Sequence, residues 1–182
     1  MNVYLIGYRC SGKTSVGSAL SCILGWSFMD TDGEVVHSAG MSIHEMVAQN
    51  GWEAFRLAEK QVIHRTSGLD RHVIATGGGM VLDPENVRLM KASGWVIWLT
   101  ASSETVRMRM ADDPVTGVQR PDLTAAGSLN EIDSVMTARQ PLYQNAADLA
   151  IDTDDLEIGA VCQKILNFLD IKQDAGTDQD YQ

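Results

Sequence analysis

The stretch Gly7-Tyr8-Arg9-Cys10-Ser11-Gly12-Lys13-Thr14 satisfies the pattern G-x-x-x-x-G-K-[ST] at every fixed position. Before it, residues 2–6 are a short apolar run rich in strand formers. Behind it, Val16, Leu20, Ile23 and Leu24 recur at helical spacing. The order is therefore strand, glycine-rich turn, helix. Gly7 and Gly12 let the backbone bend where a Cβ would obstruct it, so that successive N–H groups can point at one anion. The helix that follows adds the positive end of its dipole. Lys13 can reach the β- and γ-phosphates of a nucleotide, and the Thr14 hydroxyl can ligate Mg2+. A bare strand-to-helix turn needs the glycines but has no use for Lys and Thr after the second one. The spacing thus predicts a phosphate cradle over Gly7, Arg9, Cys10, Ser11, Gly12, Lys13, Thr14 and Ser15.

A chain of 182 residues suits one domain with a sizeable core. Its 45% hydrophobic and 21% charged residues are ordinary for a globular protein. The net charge of -10 argues against a nucleic-acid or anionic-membrane surface, so each basic residue that could meet an anion is informative. Three cysteines, Cys10, Cys22 and Cys162, show no C-x-x-C spacing, which points to reduced thiols and a cytoplasmic setting. No apolar run approaches membrane-spanning length.

Short apolar strands alternate with helical patterns along the chain. Strands are predicted over residues 2–6, 26–29, 72–75, 95–99 and 148–151. Helices are predicted over 33–50 with a break near Gly40, then 53–65, from Asp83-Pro84 onward, 102–110, from the capping box at Ser128 to about Tyr143, and 156–169. The unbroken apolar run at 95–99 suggests burial on both faces, as in a parallel sheet. Repeated βα units imply a three-layer α/β/α fold around a five-stranded parallel sheet. Residues 1–170 read as a single domain and 171–182 as a polar, disordered tail. Pro114, Gly117 and Pro121 mark residues 111–124 as a loop long enough to serve as a mobile lid.

Ligands of such sheets bind beyond the carboxyl ends of the strands, where the distinctive stretches fall. Asp30-Thr31-Asp32 closes the second strand, and Gly77-Gly78-Gly79 follows the third. A lone Asp-x-Asp is more often a turn or cap, yet here both carboxylates would face the phosphate loop, where a cation and a hydroxyl substrate need oxygen partners. Arg56 and Glu59 share a helix face, and alone would read as a solvated ion pair. Arg120 in the loop and Arg139 near a helix end likewise have unremarkable readings when taken singly.

Together these stretches resemble shikimate kinase: the phosphate loop, Asp30-Thr31-Asp32, Phe55-Arg56-x-x-Glu59, Ala75-Thr76-Gly77-Gly78-Gly79, Arg120-Pro121 and Arg139-x-x-Leu142-Tyr143, in the family's order. The resemblance implies ATP-dependent phosphorylation of the shikimate 3-hydroxyl, with ATP/ADP and shikimate as partners, Mg2+ as cofactor, and a monomer. It implies that Lys13 neutralises the moving phosphoryl group, that Thr14 and Asp30 hold Mg2+, and that Asp32 contacts the 3-hydroxyl as base or orienter. Arg56 and Arg139 would clamp the substrate carboxylate, with Glu59 behind Arg56 and the backbone of Gly77, Gly78 and Gly79 lining the substrate. Arg120 would swing in on the lid, and Arg109 stands where the family has an Arg against adenine.

The chain departs from the family in three places. Cys10 replaces a small residue, usually Gly, so that a positive φ there would be strained; Asp122 adds a negative charge to the lid, and Asp112-Asp113-Pro114 is acidic near the nucleotide entrance. A kinase for gluconate or a nucleoside monophosphate, and a catalytically silent nucleotide-binding module, are the alternative readings. The set Asp32, Arg56, Arg139 suits a hydroxylated carboxylate better than a nucleobase, and a silent module has no need of Asp32 or a lid Arg.

Overall fold

The computed structural model describes residues 1–112 and 131–177, residues 171–177 by their backbone alone. Strands β1 (Asn2–Ile6), β2 (Ser27–Asp30), β3 (His72–Ala75), β4 (Gly94–Thr100) and β5 (Leu149–Asp152) form one sheet in the order β2-β3-β1-β4-β5. Every pairing is parallel. Around it lie helices α1 (Lys13–Leu24), α2 (Thr31–Ala39), α3 (Ile43–Thr66), α4 (Pro84–Ser93), α5 (Ser103–Asp112), α6 (Ile132–Ala146) and α7 (Ile158–Thr177).

The period-two alternation of the strands divides the core into two layers. Val3 and Leu5 of β1, Val73 of β3, and Ile97 and Leu99 of β4 pack with Val16 and Leu20 of α1 and with Val161 and Ile165 of α7. Tyr4, Ile6, Ile74 and Val96 point the other way, onto Ile63 of α3, Met90 of α4 and Tyr143 of α6. All five residues of β1 are buried, as a central strand covered on both faces requires. The three-layer arrangement read from the alternation of motifs is the arrangement found.

Local chemistry sets the element ends. β2 starts one residue later than expected and closes on Asp30, whose Oδ1 accepts from the N–H of Asp32 at 3.0 Å and of Gly33 at 3.3 Å. That N-cap starts α2 at Thr31 and not at residue 33. Gly40, at φ 66, ends it. Ser42 and Glu45 then form a capping box for α3, whose backbone leaves the helical conformation at Gly51 (φ 78, ψ 171), in the gap left between the helices predicted over 33–50 and 53–65. Helix α7 continues through residues 171–177, where Lys172, Gln173 and Ala175 favour helix. Helix α6 begins at Ile132, and the capping-box residues 128–130, with most of the expected lid, lie outside the described residues.

The sheet leaves no room at Gly94, where an added Cβ would land on the backbone carbonyl of Asn2 across the β1–β4 pair. Gly25 has φ 65 and open space around it. Gly94→Ala is therefore expected to cost more than about 3 kcal/mol, the upper end of ordinary overpacking. Gly25→Ala should cost only the left-handed penalty of about 1–2 kcal/mol. Urea unfolding of the two variants checks this, and equal losses would contradict it.

Candidate active site

The carboxyl ends of β1, β2 and β3 open into adjoining clefts. The first is lined by residues 10–16 with Asp30, Arg109, Thr153, Leu156 and Ile158. Its loop depends on Gly7, at φ 141, where a Cβ would strike the Leu99 carbonyl, and on Gly12 at φ 92. Cys10 takes φ 58, the strained left-handed conformation expected of a non-glycine there. Lys13 is buried and folds back along the loop, its Nζ donating to the carbonyls of Gly7 at 2.9 Å and Tyr8 at 2.6 Å. Arg109 donates to the Cys10 carbonyl at 3.3 Å, the Thr153 hydroxyl at 3.1 Å and the Thr153 carbonyl at 2.7 Å, so it braces the loop against the end of β5.

Thr14 Oγ1 donates to Asp30 Oδ2 at 3.0 Å. The pair thus brings a hydroxyl and a carboxylate oxygen together beside the phosphate loop. This hard-oxygen donor set fits Mg2+, which takes few protein ligands and completes its shell with water and phosphate. Among the described residues no group of three or more His, Cys, Asp or Glu could hold a metal without such help.

The second cleft adjoins the first at the loops that follow β1, β2 and β3. Tyr8, Arg9, Asp32, Trp52, Phe55, Arg56, Glu59, Gly77, Gly78, Gly79 and Arg139 line it. The Asp-x-Asp pair is thus shared between the clefts: Asp30 lines the phosphate cleft, while Asp32 lines this one, which the loop residues Tyr8 and Arg9 also border. Arg9, assigned from the sequence to the nucleotide, also borders this cleft. Spacing along the chain does not reveal which way a side chain turns off a loop. The glycine triplet makes the convergence possible. A Cβ on Gly77 would stand 2.5 Å from Asp32 Oδ1 and 2.6 Å from Glu59 Oε1, and one on Gly79 would land on the Arg56 guanidinium. The Gly78 carbonyl accepts from Arg139 Nη1 at 3.1 Å and from the Tyr143 hydroxyl at 2.6 Å.

Arg56 lies 5.3 Å from the Trp52 ring centroid and 5.2 Å from that of Phe55, and it is hydrogen-bonded to Glu59. Glu59 is 1% exposed. Burial pushes its carboxyl up to about 7; the Arg56 guanidinium opposes the shift and the nearby Asp32 carboxylate adds to it. Burial also raises the Tyr143 hydroxyl to about 12, so it stays a protonated donor to Gly78.

Sequence reasoning missed Tyr8, Trp52, Thr153, Leu156 and Ile158 as lining residues. The last three follow β5 at the same sheet end as the other motifs, a signal that strand position alone carries. Arg120 lies outside the described residues.

A family model described as shikimate kinase matches residues 9–170. The shikimate kinase of Syntrophus aciditrophicus is 41% identical over 173 residues, covering 91% of this chain and 89% of that protein. That of Nitratidesulfovibrio vulgaris is 46% identical over 145 residues, covering 80% and 82%. Among solved structures, the shikimate kinase from Acinetobacter baumannii in complex with shikimate superposes with a TM-score of 0.85 at 30% identity, covering 92% of each chain. A gluconokinase from Sinorhizobium meliloti, at 14% identity and a TM-score of 0.58, shares the fold.

Glu59 makes the stability of this cleft depend on pH. Its folded pKa, about 7, lies above the ordinary 4.5, so the folded protein holds this proton more tightly than the unfolded chain. The stabilisation is full below the unfolded pKa and is lost as pH rises through the folded one. From about pH 5 to 8, wild type should lose stability relative to Glu59→Gln. Denaturant midpoints across that range test this; a constant difference would refute it.

Proposed function

The chain belongs to the shikimate kinase family, and from that premise we propose that it transfers the γ-phosphoryl group of ATP to the 3-hydroxyl of shikimate, giving shikimate 3-phosphate and ADP. The observation that carries the reading is the adjoining pair of clefts. One is a phosphate cradle, and the other sets the Asp32 carboxylate beside the guanidiniums of Arg56 and Arg139. A nucleobase acceptor has no use for two guanidiniums; a hydroxylated carboxylate uses both and the carboxylate as well.

In the proposed mechanism Arg56 and Arg139 fork onto the shikimate carboxylate and fix the ring, with Glu59 holding Arg56 in place. The backbone of Gly77, Gly78 and Gly79 lines the substrate at a distance that a Cβ would not allow. Asp32 takes the proton of the 3-hydroxyl, whose oxygen forms a bond to the γ-phosphorus as the bond to the ADP oxygen breaks. Lys13 leaves the Gly7 and Tyr8 carbonyls for the phosphates and neutralises charge on the moving group. Arg109 and the loop residues Gly7, Cys10, Ser11, Gly12 and Ser15 hold the nucleotide. Arg120, from the segment outside the described residues, adds a second cation. Thr14 and Asp30 hold Mg2+, which when bound neutralises phosphate charge and orients the phosphates. Phosphoryl transfer asks chiefly for such positioning and charge stabilisation. We further propose that the domain spans residues 1–170 and that the enzyme works as a cytoplasmic monomer without nucleic acid or membrane. No helix among the described residues is long and apolar enough to cross a bilayer.

Coupled ADP release should respond to shikimate and far less to quinate, gluconate or AMP; turnover with AMP and none with shikimate would refute the proposal. Arg139→Ala should weaken shikimate binding about 10- to 150-fold, the loss of one charge-assisted hydrogen bond, and leave ATP binding without shikimate nearly unchanged. Separate titrations with each ligand decide this, and loss of ATP affinity alone would reverse the site map. Thr14→Val and Asp30→Asn should each raise the Mg2+ concentration needed for half-maximal activity. Unchanged Mg2+ dependence in both would remove them from the metal site.

A further inference from the structure

The stretch Arg139-x-x-Leu142-Tyr143 ends on a residue that the mechanism above leaves without a task. Tyr143 lines neither the phosphate cleft nor the substrate cleft. It is 3% exposed and packs in the core with Tyr4, Ile6, Ile74 and Val96. Its ring stacks on that of Trp98, with centroids 5.7 Å apart and planes 22° from parallel. A ring packed on these sides has one place for its hydroxyl. That hydroxyl donates to the Gly78 carbonyl at 2.6 Å. Arg139, one turn earlier on α6, donates to the same carbonyl at 3.1 Å and also hydrogen-bonds the Tyr143 hydroxyl.

The rest of the glycine triplet is fastened by other means. The Gly77 N–H donates to Thr31 Oγ1 at 2.9 Å, and the Gly77 carbonyl accepts from the Met80 N–H at 3.0 Å. The Gly79 carbonyl accepts from the Leu82 N–H at 3.0 Å. The peptide between Gly78 and Gly79 joins two residues without a Cβ, so sterics do little to fix its rotation. The two side chains of α6 fix it instead. The Gly79 N–H belongs to the same planar unit and points opposite to the Gly78 carbonyl, so whatever sets the carbonyl also sets the N–H. Of the two donors, Arg139 must also turn its fork onto the substrate carboxylate. Tyr143 has no such second duty. Burial raises its hydroxyl pKa to about 12, so it remains a donor across the working pH range.

We propose that Tyr143 is a positioning residue for substrate binding: its hydroxyl ties the Gly78–Gly79 peptide to the Arg139 guanidinium, so that the Gly79 N–H and the Arg139 fork meet shikimate in one fixed geometry. The proposal rests on the shikimate reading and adds to it a residue that does not touch the ligand. It places the precision of the site in the core, where Trp98 of β4 holds the ring, and not in the loop that carries the glycines.

Tyr143→Phe keeps the ring and its stack on Trp98 and removes the hydroxyl alone. At saturating MgATP, KM for shikimate should rise about 2- to 12-fold, as for loss of one hydrogen bond between neutral groups, while kcat changes less than about twofold. ATP affinity titrated without shikimate should keep its wild-type value. An unchanged KM for shikimate would overturn the proposal. Equal weakening of shikimate and ATP binding would overturn it too, by showing that the hydroxyl serves only the packing of the fold. A crystal structure of the wild type with shikimate gives a test that does not depend on the variant. In it the Tyr143 hydroxyl should stay within hydrogen-bond distance of both the Gly78 carbonyl and Arg139, and its release of either would overturn the proposal. A wild-type enzyme that ignored shikimate would overturn the functional reading beneath, so the wild-type assay tells the two failures apart.

Discussion

Charge taken out of water is the constraint on which the rest of this structure depends. At the carboxyl end of the sheet Arg9, Lys13, Glu59 and Glu131 are each less than a tenth exposed. An uncompensated buried ion costs several kcal/mol, so each of these groups must be met by an opposite charge or a dense set of dipoles. Lys13 is met by loop carbonyls, Arg9 by Glu131, and Glu59 by Arg56. Those pairings fix the path of the phosphate loop, the rotation of α3 and the seat of Glu131, the residue immediately before α6. A chain of net charge -10 thereby concentrates cations at one end of its sheet, where two anionic ligands are to be held together.

The glycines stand where this crowding leaves no space for a side chain. Without a Cβ, Gly77 lets Asp32 and Glu59 close around one point, and Gly79 gives way to the Arg56 guanidinium. Bringing Asp32 and Glu59 near each other has a consequence for both. Two carboxylates in a desolvated cleft do not ionise independently, and the one buried more deeply, Glu59, is the one whose carboxyl is raised to about 7. Glu59 therefore exchanges its proton within the neutral pH range. The side chain that orients Arg56 thus also moderates the charge that Asp32 faces.

Much of this was legible in the sequence. The strands are short apolar runs with turn residues at both ends, and a parallel sheet buries them on two faces, so their composition alone marks them. The phosphate loop, Asp-x-Asp and the glycine triplet fall at strand ends because the fold puts ligands there. What the sequence hid is direction. Asp30 and Asp32 are two residues apart, but Asp30 caps α2 and meets Thr14 while Asp32 turns into the other cleft. Arg9 sits among nucleotide-loop residues, yet it pairs with Glu131 and borders the other cleft. Helix ends were hidden for a similar reason. Asp30 starts α2 early, at Thr31, through a side-chain cap that spacing alone did not mark as a helix start.

Cys10 shows how the loop keeps a conformation its own residue disfavours. At φ 58 a side chain costs about 1–3 kcal/mol, and such strain persists only where the surroundings over-determine the backbone. Here they do. The Cys10 carbonyl accepts from Arg109, which is itself anchored by two bonds to Thr153 at the end of β5. Just before Cys10, the carbonyls of Gly7 and Tyr8 accept from Lys13. The loop is therefore gripped from α5 and from α1, and the sheet positions both grips. The N–H groups of such a loop and the helix dipole of α1 both favour negative charge, so the restraints that hold Cys10 also hold a cradle shaped for phosphate oxygens.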